Sequence, residues 1–267
     1  CATPGMDGHV KLSGVVNDYW AAPPTVSLQA GQTLLPLGDH RGKNKIAVGD
    51  LLLVIQMQGA TINSSNDMRY GSGSDQGRGW TGLVAGHFEL VRVQQVQPAA
   101  VVISAAGSGN GLRFSYLSRD PQVRSDQGRA RWQLVRIPQY QSAQLTGDLK
   151  PLPWDGASGG VLALDVRGRL SLSGHRLDAA QAGFRGGAAF PLHGALGAAN
   201  DLRDDALSVG DLVNGDGQRG SKGEGLAGTS RWLSVDGARL YTLANEGRNV
   251  SAGYPGGSMA RGGPANA

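Results

Sequence analysis

Apolar and polar positions alternate along much of the first half of the chain with the two-residue period of a β-strand. The segment HFELVRVQQV (87–96) alternates in this way, whereas AVGDLLLVIQMQ (47–58) is a continuous apolar run, the pattern of a strand buried on both faces. Two more strands are predicted at AAVVISAA (99–106) and LRFSYLS (112–118), and evidence for helices is nearly absent. The pattern therefore predicts an all-β fold.

In the second half of the chain, the strand-like segments are shorter and more closely spaced. In GGVLALDVRGRLSLSGHRLDAA (159–180), strand centres recur about every eight residues, which suits successive faces of a β-helix coil better than a meander. Alternation predicts two opposite faces, with Val161, Ala163 and Asp165 on one and Leu162, Leu164 and Val166 on the other. The coil interior is expected to hold rows of leucine, namely Leu162, Leu164, Leu170, Leu172 and Leu177. A β-sandwich built from short strands is the alternative.

These patterns predict that the chain has three structural regions. Residues 1–24 form an N-terminal strand and arm that leaves through the stiff Pro23-Pro24 pair. Residues 25–130 form a small β barrel or sandwich, and residues 131–267 form a β-helix-like (or β-sandwich) body with glycine-rich loops.

Composition narrows the functional classes. Glycine accounts for 43 of the 267 residues, but no Gly-X-Y period is present, which excludes collagen. The net charge of +4 is dispersed among alternating basic and acidic residues, so a nucleic-acid partner is not expected. No apolar run approaches the length of about 18 residues that a transmembrane helix needs, so no transmembrane segment is predicted.

Cys1 is the only cysteine, so no internal disulfide can form. A chain that begins with cysteine is typical of a mature protein after signal-peptide removal, and a plain secreted N-terminus is favoured over a lipid-modified Cys1. The expected location is outside the cell or on a bacterial cell surface.

The stretch NGDGQRGSKGEGLAG (214–228) resembles a phosphate- or metal-binding loop in composition only. Ser221 precedes Lys222, whereas a P-loop needs the hydroxyl after the lysine. Arg219 occupies the position at which a calcium loop needs glycine. The stretch is therefore expected to be a loop that packs over the β body, with Lys222 and Glu224 solvated or paired.

The remaining polar clusters give no catalytic pattern. The five histidines lack the close spacing of zinc ligands. Four carboxylates occur close together in the sequence, at Asp201, Asp204, Asp205 and Asp211. They could serve glycosidic-bond cleavage, but the neighbours Asp204 and Asp205 point in different directions on most backbones. No catalytic residue, metal or cofactor is expected, and the chain is not predicted to be an enzyme.

Several aromatic side chains lie beside glycine, proline or polar residues instead of within apolar runs. The candidates for surface or ligand contacts are Trp20, Tyr70, Trp80, Trp154 and Trp232, with Tyr140 in a similar context. Such rings stack on sugars or are buried at protein contacts. The alternative is that they cap the ends of the β core.

The chain resembles the N-terminal region of large, glycine-rich, secreted bacterial surface proteins of the adhesin-like kind. The resemblance is carried by IAVGDLLLVIQMQ, AGHFELVRVQQV, RWQLVRIPQY, GSKGEGLAG and, most specifically, GGVLALDV followed by GRLSLSG and GFRGG. It implies a small β barrel leading into a β-helix-like body, and a non-enzymatic protein at the cell surface. It transfers no catalytic residues.

Together these observations predict a secreted structural or adhesive protein that self-assembles into a filament, sheath or surface layer. Copies of the chain would pair through β edges, and the glycine-rich tail (250–267) would lie along a neighbour as an added strand. The alternative is a carbohydrate-binding or carbohydrate-active β-helix protein with surface glycans as partners.

Overall fold

A computed structural model describes residues 3–62, 80–119, 129–186, 203–204, 219–220, 224–226, 228, 232–235 and 238–241. Its strands are β1 (His9–Gly14), β2 (Asp18–Ala21), β3 (Leu34–Pro36), β4 (His40–Arg41), β5 (Leu51–Gln58), β6 (Thr61–Ile62), β7 (Trp80–Thr81), β8 (Phe88–Gln97), β9 (Ala100–Ser104), β10 (Arg131–Ile137), β11 (Gln139–Tyr140), β12 (Ser142–Leu149), β13 (Asp165–Val166), β14 (Leu170–Ser171), β15 (Arg203–Asp204), β16 (Arg219–Gly220), β17 (Trp232–Val235) and β18 (Ala238–Tyr241). The described residues contain no α-helix and one turn of 3-10 helix, Ser108–Asn110. The predicted all-β fold is confirmed.

The chain divides into two compact units. The first unit comprises Cys1–Gln56, Gly86–Ser118 and Arg131–Gly183. The second unit comprises Met57–Ala85, Arg119–Ala130 and Phe184–Ala267.

Seven strands form one sheet that curls into a half-barrel, in the order β3-β9-β8-β5-β10-β2-β4. Its centre is β5, whose side chains alternate between two apolar clusters. Leu52 and Val54 pack into the inner cluster, while Leu51 and Leu53 pack on the opposite face. The continuous apolar run therefore has the predicted cause, which is burial on both faces of the sheet.

The inner cluster forms the core of the half-barrel. Its largest members are the fully buried Trp132 and Tyr116, with Trp20, Leu28, Leu35, Leu112 and Leu134 around them. The indole N–H of Trp132 donates a hydrogen bond to the carbonyl of Val26 at 2.9 Å. Burial, reinforced by the charge of Glu89, raises the pKa of Tyr116, whose hydroxyl donates to that carboxylate at 3.0 Å. Both buried polar atoms are thus satisfied.

A second sheet of the same unit is parallel, with the order β1-β12-β14. The register pairs His9 with Ser142 in one ladder and Ala143 with Leu170 in the other. A parallel pair between β11 and β13 and a parallel bridge between Leu149 and Leu177 extend the same stacking. We call β1 the first rung, residues 139–149 the second rung and residues 165–177 the third rung. Successive rungs stacked in parallel are the arrangement of a β-helix.

The interior of the rungs is apolar, as the sequence predicts for Leu162, Leu164 and Leu170, but the prediction is wrong for Leu172 and Leu177, which are exposed near the end of the third rung. Leu145 and Leu149 are buried there, and the partly buried side chains packed with them include Leu162, Leu164, Val166 and Leu170. Val161 and Ala163 face the other way and pack against the cluster that contains Tyr19. The predicted alternation of these residues between two sides is therefore confirmed.

Sheet membership crosses the predicted ranges 1–24, 25–130 and 131–267. The first rung comes from the N-terminal arm, whereas β2 of the same arm joins the half-barrel sheet beside β10. The chain thus begins the parallel stack, builds the half-barrel, and then returns to the stack. His9 and Ser142, which are neighbours in adjacent rungs, lie 133 positions apart in the sequence.

In the second unit, antiparallel pairs join β6 to β7, β15 to β16 and β17 to β18. The described part of the stretch 214–228 packs on Gln58, whose amide donates to the carbonyls of Gly225 (3.0 Å) and Gly228 (3.2 Å). Glu224 is buried and forms a two-pronged ion pair with Arg185 at 2.8 and 3.0 Å. Of the two alternatives expected for Glu224, solvated or paired, the structure shows pairing, while Lys222 lies outside the described residues.

Candidate functional site

The outer face of the parallel sheet is polar. Because neighbouring residues of a strand point to opposite sides, the burial of Leu12, Ala143 and Leu145 in the interior directs the alternate side chains outward. These outward side chains, together with Val10 and Ala143, line a wide, open groove of about 560 Å³. The lining residues are His9, Val10, Lys11, Ser142, Ala143, Gln144, Arg169 and Ser171.

Hydrogen bonds between rungs hold the polar groups of this groove. The imidazole Nδ1 of His9 lies 2.6 Å from the Ser142 hydroxyl, which joins the first rung to the second. The Gln144 amide donates to the Ser173 hydroxyl at 3.2 Å, and Ser173 lies 3.1 Å from the Ser171 hydroxyl. The groove therefore presents hydroxyl and amide groups at fixed positions, because each is tied to its neighbour.

Two cations flank these groups, Lys11 on the first rung and Arg169 just before β14 on the third. Both side chains are exposed, and neither forms an ion pair with any residue that the structure describes. The carboxylate on β12, Asp148, is engaged elsewhere: the backbone N–H and the guanidinium of Arg176 bind it at 3.1 Å each and lower its pKa. The groove therefore carries an excess of positive charge.

Among the residues that the structure describes, the third rung is the last of the parallel stack. β1 and β14 are the two edge strands of this sheet, and both run in the same direction. Leu177 lies opposite Leu149, and Leu172 directly follows β14. Leu172 and Leu177 are 45% and 44% exposed. Two leucines of the third rung are therefore only partly covered by the described residues.

Buried polar groups fix the rungs against the half-barrel sheet. The amide of Asn17, 2% exposed, donates to the carbonyls of Arg136 (2.9 Å) and Ala163 (2.6 Å), and accepts from the Ala163 N–H at 3.0 Å. The hydroxyl of Tyr19 donates to the Val161 carbonyl at 2.6 Å. Asn17 thus satisfies backbone groups of two segments at once, which holds them in a single geometry.

Arg136 of β10 forms a second anchor. Its guanidinium lies 3.2 Å from Asp7, just before the first rung, and 3.0 Å from the buried Asp50. Burial alone would lower the pKa of Arg136, but the hydrogen bond and charge of Asp50, together with Asp7 and Asp18, raise it. The guanidinium therefore stays charged and ties the first rung to the sheet.

The structure changes the prediction for two of the candidate aromatic residues. Trp20 and Trp154 are 5% and 2% exposed, so neither presents a free ring face. Trp20 belongs to the half-barrel core, where its ring stacks on His40 at 4.5 Å between centroids. The alternative interpretation, that polar-flanked aromatics complete the core, holds for both. Tyr140, 8% exposed, likewise packs inside the rungs.

The other candidate positions are not tested. Trp80 lies in β7 and Trp232 in β17, but their side chains, and all of Tyr70, lie outside the described residues. Asp204 lies in β15, and Asp201, Asp205 and Asp211 lie outside the described part of the chain. Their predicted roles stay predictions.

The sequence patterns do not identify the groove residues as a site. Lys11 and Arg169 are 158 positions apart by number and come together only because the first rung pairs with the second and the second with the third. The available signal was the pair of alternating segments HVKLSG and SAQLTGDL, each with polar outward positions. Nothing in either segment indicates that the two are partners.

Two features are absent from the described residues. No group of three or more His, Cys, Asp or Glu side chains that could hold a metal ion occurs there. No helix in the same part of the chain is long and apolar enough to cross a membrane.

Comparison with known proteins gives little further information. No protein-family model matches the chain, and no curated protein matches it. Among solved structures, it is similar to the tailspike protein gp49 from Pseudomonas phage LKA1, with 12% sequence identity and a TM-score of 0.24. The match covers 55% of this chain and 24% of the tailspike chain, so this chain spans about a quarter of that protein.

Proposed function

We propose that the protein is a secreted structural and adhesive protein of a bacterial surface, which associates with copies of itself through the ends of its parallel stack. The observation that carries this proposal is the third rung, where a parallel edge strand and two exposed leucines end the described part of the stack. The function needs no catalytic residue, and the alternative, carbohydrate binding, uses a different surface.

The direction of the edge strands favours a head-to-tail contact. Because β1 and β14 run parallel, the third rung of one copy can pair with the first rung of the next and continue the same ladder. Such a contact uses two different surfaces, so it does not close on itself and propagates into a filament. Unpaired edge strands are templates for this kind of addition.

The exposed leucines add a hydrophobic contribution. Complete burial of a leucine side chain stabilises a contact by roughly 1.5–3 kcal/mol. Leu172 and Leu177 are already about half buried, so covering the remainder contributes on the order of 1 kcal/mol each. Together with the ladder hydrogen bonds, this supports association at moderate protein concentration. The glycine-rich tail (250–267), outside the described residues, is proposed as a further connector.

The test is the solution mass by light scattering over a concentration series. The mass of the wild-type chain is expected to rise with concentration, and the Leu172→Lys/Leu177→Lys variant is expected to stay monomeric. Two like charges at the open end would have to be buried without partners, whereas the folded monomer keeps them in water. Deletion of residues 250–267 is expected to weaken association.

The matched control is Phe88→Lys/Leu90→Lys, which places two lysines at side chains of the half-barrel sheet that are 60% and 51% exposed. This control should associate as the wild type does. A wild-type chain that is monomeric at every concentration, or a third-rung variant with unchanged mass, would contradict the proposal.

A further inference from the structure

We propose that the groove on the outer face of the parallel sheet binds an acidic polysaccharide, by contacts from Lys11 and Arg169 to its anionic groups. This inference goes beyond self-association, because it concerns the outward face of the rungs, whereas association uses the edges and the exposed leucines of the third rung. It also places glycan recognition at residues different from the aromatic candidates of the sequence.

Charge complementarity selects an anionic ligand. The cations Lys11 and Arg169 stand exposed on either side of the groove, and the lining residues include no carboxylate. The nearest carboxylate on the central strand, Asp148, is bound by Arg176. An ammonium and a guanidinium both donate charge-assisted hydrogen bonds to carboxylate or sulfate oxygens, and the guanidinium can do so in a two-pronged geometry.

The polar groups between the two cations can form hydrogen bonds with the hydroxyls of a sugar. The groove floor presents the hydroxyls of Ser142 and Ser171 and the amide of Gln144, which donate to and accept from sugar hydroxyls. Two of these groups are hydrogen-bonded across rungs, Ser142 to His9 and Gln144 to Ser173, and Ser171 is bonded to Ser173 within its rung, which limits the orientations they sample before a ligand binds. Saccharide hydroxyls require such donors and acceptors at every ring.

The spacing of the cations indicates a chain, not a single small anion. Lys11 is on the first rung, and Arg169 lies beside the third, so two strand spacings of about 4.8 Å, or roughly 10 Å in total, separate the rungs that carry them. Two separate anionic groups can occupy the two positions at once. A polymer with repeated anionic groups contacts both, and gains affinity because its second contact is intramolecular.

Nucleic acid fits the groove less well. Single-stranded nucleic acid is bound by aromatic rings that stack on bases, and the groove lining contains no Phe, Tyr or Trp. Nucleic-acid sites also engage many phosphates with a cluster of cations. The groove has two permanent cations and one histidine, which favours a polymer with sparser charges.

The experiment measures binding of polygalacturonate, dextran sulfate, neutral dextran and single-stranded DNA to the full chain by biolayer interferometry at fixed salt. The wild type is expected to bind at least one of the two acidic polysaccharides and not neutral dextran. The Lys11→Gln/Arg169→Gln variant is expected to bind about ten-fold more weakly, which corresponds to about 1.4 kcal/mol. The two acidic probes distinguish carboxylate from sulfate recognition.

The matched control is Lys43→Gln/Lys45→Gln, which removes the same net charge from an exposed loop of the same unit. It should bind as the wild type does. Equal loss of binding in both variants, binding of neither acidic polysaccharide, or tighter binding of single-stranded DNA than of either would overturn the proposal. The solution mass of each variant is measured in parallel, so loss of the groove is distinguished from loss of assembly.

Discussion

The Arg136→Met variant is expected to lower the free energy of unfolding by about 3–5 kcal/mol, because it leaves the buried carboxylate of Asp50 and the partly buried carboxylate of Asp7 without their cation. Asp50 is 1% exposed and lies 3.0 Å from the guanidinium, while Asp7 lies 3.2 Å away at the start of the first rung. Urea unfolding monitored by tryptophan fluorescence gives the change. Methionine keeps the apolar stem of arginine, so the loss reports the charge.

Two further variants distinguish the effect of losing the buried ion-pair network from the effect of losing any one positive charge. Arg176→Met removes an arginine that is 73% exposed and pairs with Asp148, so it should cost far less stability than Arg136→Met. Adding Asp50→Asn to Arg136→Met should restore part of the stability, because it removes a buried charge that has lost its partner. Equal costs for the two arginine variants would show that the buried network does not anchor the first rung.

Alkaline pH is expected to destabilise the protein strongly between about pH 10 and 12. Burial raises the pKa of Tyr19 to about 12, and burial raises the pKa of Tyr140 to about 12 as well. The unfolded chain releases both phenolic protons near pH 10, whereas the folded chain holds them until about pH 12. The stabilisation is therefore complete below about pH 10 and is lost as the pH rises through 12.

The size of this loss of stability follows from the two tyrosine pKa shifts. Each pKa unit corresponds to about 1.4 kcal/mol, so each tyrosine contributes roughly 2–3 kcal/mol to the loss. Urea titrations at pH 8 to 12 measure it, and Tyr19→Phe/Tyr140→Phe should reduce the alkaline slope, leaving the part that comes from Tyr116, whose pKa is also raised by burial. The double variant is expected to start lower at pH 8, because Tyr19 loses its hydrogen bond to Val161. An unchanged alkaline slope would show that other groups cause the loss.

Local patterns predict much of the fold. The doubly buried strand β5 follows from its continuous apolar run, and the alternation over 161–166 correctly separates the residues of the rung interior from those that face Tyr19. Both inferences depend only on neighbours in sequence, because side-chain direction in a strand has a period of two residues.

The pairing of the first rung could not be predicted in this way. HVKLSG would alternate identically in an antiparallel hairpin, and its partner begins at Ser142, after the whole half-barrel sheet. The cationic groove could not be predicted either, because Lys11 and Arg169 are brought to one face only by the parallel pairing of the rungs. The burial of Trp20 and Trp154 was missed for a different reason: it depends on tertiary packing that flanking residues do not report. Trp20 lies in β2, where all four residues are buried, and Trp154 lies in a segment between strands.

The proposed assembly would also extend the groove. If the third rung of one copy pairs with the first rung of the next, the outward rows that contain Lys11, Gln144 and Ser171 continue from copy to copy. A long acidic polysaccharide could then contact several copies, and its apparent affinity would rise steeply with assembly. Structural and adhesive roles would in this way reinforce each other on a bacterial surface.

The most direct test of head-to-tail stacking is a disulfide between two variant chains in a Cys1→Ser background. One chain carries Lys11→Cys and the other Ser171→Cys. Lys11 and Ser171 both align with Gln144 and face outward, so stacked copies would place the two cysteines on adjacent strands about 4.8 Å apart, within disulfide range. A Lys43→Cys chain measures random cross-linking.

After mild oxidation, the account predicts that disulfides form between Lys11→Cys and Ser171→Cys chains, in excess of either chain with itself and of the Lys43→Cys control. Predominant linkage of Ser171→Cys chains to each other would indicate a closed contact between two third rungs. That result, or linkage no greater than the control, would contradict head-to-tail assembly.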